Sequence, residues 1–253
     1  MSEKTYIRPP IVQALFEARF DGLVDIKKIK KFTKNISGDY PSLEEEKRYD
    51  VLIKKGVDVT ASASFSGYKL SSLEGTDLIL VRPDVFGVGR LAPYEGWDSF
   101  CSTLKKNWEE AKKVFGYRPI NRLALRYINR IDIPCDVRPV IEEDVHPVIE
   151  ETDYVNISIA VPKDVVNVFQ GYRIEFAAKT EKDILFTVRT GASKSPMVDH
   201  IGIILDLDIY KVKDLPQKDG DMWNLLNELR LQKNSLFERF VTNKSRELFD
   251  RKI

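Results

Sequence analysis

Residues 120–134 read INRLALRYINRIDIP, near the middle of a chain of 253 residues. Leu123, Leu125, Tyr127 and Ile131 stand at odd positions, and Arg122, Ala124, Arg126, Ile128, Arg130 and Asp132 at even ones. Successive side chains of a strand point to opposite faces, so this segment is a strand with a core side and an arginine side. Three arginines are too costly to bury unpaired. They must meet water, carboxylates or a ligand.

Working outward toward the N-terminus, Ile11–Phe20 alternates in the same way, with Val12, Ala14, Phe16, Ala18 and Phe20 on one side and Gln13, Glu17 and Arg19 on the other. Asp21–Asn35 places Leu23, Ile26, Ile29 and Phe32 at helical spacing with lysines on the remaining face, which predicts a short amphipathic helix. The charged residues Glu44–Arg48 lead into a short predicted strand, Tyr49–Ile53. Val57–Leu91 is β-rich, with a hairpin turn expected at Gly75-Thr76 and a bulge or bend at Gly87 and Gly89. Trp97–Gly116 is a helix by its stripe of Trp97, Phe100, Leu104, Trp108, Ala111 and Phe115, stopped by Gly116.

Toward the C-terminus, Pro139–Val148 is a weak helical candidate. Strands are expected at Tyr154–Val161, Val166–Ala178, Asp183–Thr190 and Ile201–Val212. A last long helix starts near Trp223 with Leu226, Leu229, Leu236 and Phe240 on one face, and Thr242 or Asn243 caps a final turn.

The two halves share an order and some residues. Phe65-Ser-Gly-Tyr-Lys-Leu is matched by Phe169-Gln-Gly-Tyr-Arg-Ile, and the run ending at Arg82 by the run ending at Arg189. A Trp-led helix with a Lys-Asn pair follows in each half, at Trp97 with Lys106-Asn107 and at Trp223 with Lys233-Asn234. Three matches in one order argue for duplication of a strand–helix–antiparallel strands–helix unit. The expected fold is α+β, a continuous curved antiparallel sheet with helices on one face, of the TATA-binding-protein-like kind. The alternative is a helix-grip, with one long terminal helix over a sheet. The expected units are residues 1–117 and 118–253 within one compact fold.

Forty Lys and Arg against 39 Asp and Glu leave a net charge of +1, so no global field draws in nucleic acid or an anionic membrane. No apolar run nears the roughly 20 residues of a membrane span, and MSEKTYIRPP lacks the apolar core of a signal peptide. The expected location is the cytoplasm. Cys101 and Cys135 have no CxxC spacing and read as ordinary thiols. The histidines, His146 and His200, lie in no HExxH, no serine lies in GxSxG, and Phe86-Gly-Val-Gly-Arg lacks the lysine of a phosphate loop. No cofactor is implied.

The arginine side of the central strand therefore carries the functional reading. Together with Arg122, Arg126 and Arg130, strand parity adds Glu17 and Arg19 from the first strand and Arg173, Glu175, Arg189, Asp206, Asp208 and Tyr210 from later ones. Two readings of such a face compete: charges that pair across strands, and a recognition surface for an anionic or mixed-charge partner, since arginine grips phosphate and carboxylate bidentately. The leading expectation is a non-catalytic binding module for a protein or anionic ligand. The alternatives are a metal-dependent hydrolase or nuclease built on Glu17, Asp206 and Asp208, and nucleic-acid binding across the sheet. Asp206 and Asp208, two apart on a strand, are weak metal candidates without a third ligand. No membrane partner is expected, and the basic run Lys27–Lys34 reads as a solvated helix face.

Three stretches, Pro9-Pro-Ile-Val-Gln-Ala-Leu-Phe-Glu-Ala-Arg-Phe20, Leu125-Arg-Tyr-Ile-Asn-Arg-Ile131 and Lys233-Asn-Ser-Leu-Phe-Glu238, resemble a sporadically distributed, uncharacterised prokaryotic protein family. The resemblance runs from end to end of the chain. It implies no activity or site residue; patchy distribution is in keeping with accessory or defence genes.

Overall fold

The computed structural model describes residues 6–53, 59–135, 151–158 and 172–250. The fold is α+β, with nine strands in one sheet and four helices among the described residues. The strands are β1 (Ile11–Phe20), β2 (Ser42–Ile53), β3 (Val59–Ser71), β4 (Asp77–Arg82), β5 (Val85–Leu91), β6 (Ile120–Pro134), β7 (Arg173–Lys179), β8 (Leu185–Lys194) and β9 (His200–Lys211). Their hydrogen-bonded order is β2-β3-β4-β5-β1-β6-β9-β8-β7. The helices are α1 (Ile26–Asn35), α2 (Trp97–Phe115), α3 (Asp219–Phe240) and α4 (Asn243–Asp250). Two helices, α2 and α3, are long, where a helix-grip would have one.

The chain forms two compact units. One comprises Met1–Val12, Leu125–Lys211 and Trp223–Ile253, and the other Gln13–Ala124 and Val212–Met222. The division between them falls inside β1, β6 and α3.

In the unit holding Gln13–Ala124, β1 runs antiparallel to β5, β5 to β4, β4 to β3 and β3 to β2. Ala14, Phe16, Ala18 and Phe20 are buried, as their parity requires. They meet the α2 stripe: the Phe16 and Phe86 rings lie 6.0 and 5.7 Å from Trp108, and Phe32 of α1 lies 5.3 Å from Phe115. Gly116 stops α2 at φ 74°, a conformation that costs a residue with a Cβ more than it costs glycine.

Three expectations for this unit are corrected. The first helix starts at Ile26, because the Asp25 side chain accepts from the Lys27 N–H at 2.7 Å and caps it there. Leu23 consequently falls outside the helix and stands 71% exposed. Second, β2 begins at Ser42 and takes in Glu44–Arg48, whose charges obscure a strand that, among the described residues, pairs only with β3. Such an end strand needs no apolar side, and charge there opposes pairing with other chains. Third, Gly87 and Gly89 make no bulge; they pair in regular register with Glu17 and Leu15 on one side and with Leu80 and Leu78 on the other. The shift in register lies at Glu46/Lys47 against β3.

In the unit holding Leu125–Lys211, β9 pairs antiparallel with β8, and β8 with β7. Ile131, Ile133, Ile203, Leu205 and Leu207 form one buried cluster with Phe237, Val241 and Phe249 of the C-terminal helical region. Thr242 Oγ1 accepts from the Ser245 N–H, the expected cap of α4. Trp223 lies within α3 rather than at its start. The buried residues of α3 are Met222, Leu226, Leu229, Lys233 and Phe237, not the expected set ending in Leu236 and Phe240. Lys233 is buried with its Nζ 3.9 Å from the centre of the Tyr127 ring, a cation–π contact that makes a lysine acceptable on the apolar stripe.

Val155 forms an isolated bridge with Val241, and residues 151–153 a 3-10 turn, so Tyr154–Ser158 is not the start of a strand. Pro139–Val148, His146, 159–161 and 166–171 lie outside the described residues. The residue-level repeat does not keep register: Tyr68 faces Val81, just before Arg82, whereas the Tyr172 carbonyl accepts from Ala192, beyond Arg189.

Candidate functional site: two arginine–carboxylate clusters

Parity places one cluster on the face of β6, β9, β8 and β7 turned away from α3 and α4. Leu205 and Leu207 enter the core, so Asp206 between them points the other way. Strand register sets Glu175 opposite Arg189, and Arg189 opposite Asp206. Arg126 of β6 completes the row by donating from Nε to Asp206 Oδ1 at 2.8 Å and from Nη2 to Oδ2 at 2.6 Å. Arg189 lies 3.2 Å from Glu175 and 3.5 Å from Asp206. Opposite charges thus alternate across four strands, the arrangement that compensates a carboxylate only 5% exposed in its side chain.

Arg130 pairs with Asp132 along its own strand, from Nε to Oδ1 at 2.9 Å. Arg173 stands exposed at the start of β7 on the same side as Glu175, and forms no ion pair among the described residues. Asp206 has both oxygens engaged by Arg126, so its geometry is that of an ion-pair partner. Among the described residues no three His, Cys, Asp or Glu side chains gather to hold a metal. His200 Nδ1 lies 2.7 Å from the Val198 carbonyl oxygen.

The second cluster belongs to the other unit. Glu17 Oε1 accepts from Arg122 Nη1 at 2.6 Å and from Arg19 Nε at 2.8 Å. Arg122 and Glu17 are mostly covered, with side chains 14% and 18% exposed, while Arg19 is half exposed.

Ion pairs that parity on the central strand could not reveal lie in the same unit. Arg82 reaches Glu46 through Nε at 2.8 Å, and this hydrogen bond holds its pKa above the ordinary arginine value. Arg90 is buried between Asp77, at 2.5 and 3.0 Å, and Glu95 at 3.1 Å. Burial alone would lower its pKa, but the hydrogen bonds and charges of Asp77 and Glu95 outweigh that and raise it. Arg90 follows the buried run Val85–Gly89 in β5. On the helix side, the buried Asn107 donates to the Tyr40 hydroxyl at 2.8 Å, and burial pushes the Tyr40 pKa up to about 12.

A cavity of about 50 Å³ opens beside Phe20, Trp108 and Phe115. Asp219 on its wall accepts from Trp108 Nε1 at 3.3 Å and from Lys112 Nζ. Its volume holds a water or two and no drug-sized ligand. Cys101 and Cys135 are half-buried, and the Cys135 thiol donates to the Ile133 carbonyl at 3.5 Å. No helix among the described residues is long and apolar enough to cross a membrane.

No protein-family model matches the chain, and no curated protein matches it. Among solved structures, the chain is similar to DynU16, a protein of the dynemicin biosynthetic locus. The match covers 94% of this chain and 96% of that one at 12% identity, with a TM-score of 0.18. A likeness at that score carries no inference about function.

Proposed function

We propose that the protein is a non-catalytic binding module of the cytoplasm. It presents the mixed arginine/carboxylate side of its sheet to an anionic ligand or to an acidic stretch of a macromolecular partner. The observation that carries this reading is the position of Arg173. It is an exposed cation on the face where Arg126, Arg189, Asp206 and Glu175 already balance one another. A carboxylate or phosphate arriving there gains a guanidinium without first breaking an internal pair. Arg130 adds a second donor whose own partner, Asp132, is adjacent on the same strand and partly solvated.

The test is recovery of partners from cells expressing the tagged protein, comparing wild type with the Arg130→Ala, Arg173→Ala double variant. Neither side chain holds the buried Asp206, so the variant is expected to melt within a few degrees of wild type. Loss of a reproducible partner at unchanged melting temperature supports the reading. Full retention of the same partners would overturn it.

A further inference from the structure

Helix α1 has one face committed and one face unused. Ile29, Phe32 and Thr33 are buried. Lys27, Lys30, Lys31 and Lys34 are all exposed and form no ion pair among the described residues. At 3.6 residues per turn these four lysines fall within an arc of about 100° opposite the buried side, over roughly 10 Å of helix. Lys28, on the flank, donates to the Phe115 carbonyl at 3.1 Å. The neighbouring carboxylate, Glu110 of α2, is hydrogen-bonded by Asn35 and Lys113, and of the four lysines only the Lys31 charge acts on it. Like charges three and four residues apart destabilise a helix slightly, so the stripe gains nothing locally.

Beside the lysines stand two large aliphatic side chains. Leu23 is 71% and Ile26 45% exposed. A phosphate chain would use the lysines and leave these two unexplained. A surface that is both anionic and apolar just beneath uses both: lysines meet lipid phosphates while the aliphatic pair enters the headgroup boundary. We propose that residues 23–34 dock the protein peripherally on an anionic bilayer. The proposal departs from the sequence-based expectation of no membrane partner, which rested on overall charge and the lack of a spanning segment. The proposal is independent of the sheet-face reading above.

The test is co-sedimentation with vesicles of equal phosphatidylcholine and phosphatidylglycerol, with pure phosphatidylcholine vesicles and a single-stranded oligothymidylate as comparison probes. Wild type is expected to bind the anionic vesicles at low salt, to release in high salt, and to ignore the neutral ones. Replacing the four lysines by glutamine should weaken binding by at least about tenfold. Leu23→Ser with Ile26→Ser should weaken vesicle binding severalfold at low salt and leave any oligonucleotide binding unchanged. All six positions are exposed or half-exposed, and circular dichroism with melting checks each variant's fold. Equal binding to neutral vesicles, no binding at low salt, indifference to the lysine replacements, indifference of vesicle binding to the aliphatic pair, or tighter binding to the oligonucleotide would each overturn the proposal.

Discussion

Arg126 and Asp206 make a two-pronged ion pair across neighbouring strands, at 2.8 and 2.6 Å, in which the carboxylate is nearly shut off from water and the guanidinium is not. The asymmetry decides the cost of breaking it. Removing the arginine strands a buried anion with Arg189 at 3.5 Å as its remaining nearby cation, whereas removing both partners strands nothing comparable.

Arg126→Ala is therefore expected to cost about 2 kcal/mol, discounted from the 3–5 of a fully buried pair because the arginine is 37% exposed. Arg126→Ala with Asp206→Ala should cost less than the sum of the single changes by about 1 kcal/mol or more. Urea denaturation of the four proteins in the cycle measures this. Strict additivity would show that the pair is not coupled.

Tyr40 gives a pH dependence with a definite sign. Its folded pKa is raised to about 12 from 10, chiefly by burial, so the neutral hydroxyl is favoured in the fold. The associated stability is fully present below pH 10 and is lost as pH rises toward 12, because the unfolded chain ionises first. Two units correspond to roughly 2–3 kcal/mol at most. Tyr6 is raised as well, by burial and then by its bond to Glu238, and acts in the same direction. Tyr40→Phe should lower stability near neutral pH by about 1 kcal/mol, through loss of the Asn107 bond. Its urea midpoint should then fall less between pH 10 and 12 than that of wild type. Parallel curves would refute this assignment.

The sheet glycines separate two kinds of site. A Cβ at Gly67 would lie 2.5 Å from the Val81 carbonyl oxygen, which is backbone and must move. At Gly89 it would meet Leu15 and Leu78 side chains at 3.4 and 3.5 Å, ordinary contact. Gly67→Ala should cost about 2 kcal/mol or more. Gly89→Ala should stay within about 1 kcal/mol of wild type, since added contact and reduced unfolded-state freedom oppose any strain. Thermal melts of the two variants check the contrast; an equal loss at both would overturn it.

Alternation by itself determined that 120–134 and 11–20 are strands, and which of their side chains enter the core, because the two-residue period is a local property of the backbone. Helical spacing did the same for α2, down to the glycine that ends it. Sequence could not see the charged first part of β2, where an end strand lacks an apolar side, nor the burial of Lys233, which depends on the Tyr127 ring beneath it. Parity put Glu175, Arg189, Asp206 and Arg126 on one side of the sheet without saying whether they touch. Only tertiary register decided that the first three share a row and that Arg126 closes on Asp206, because ion pairing depends on distances between strands remote in sequence. Asp25 set the start of α1 and left Leu23 and Ile26 in solvent beside the lysines, and that pairing of apolar and cationic exposure exists only once the core has claimed Ile29 and Phe32.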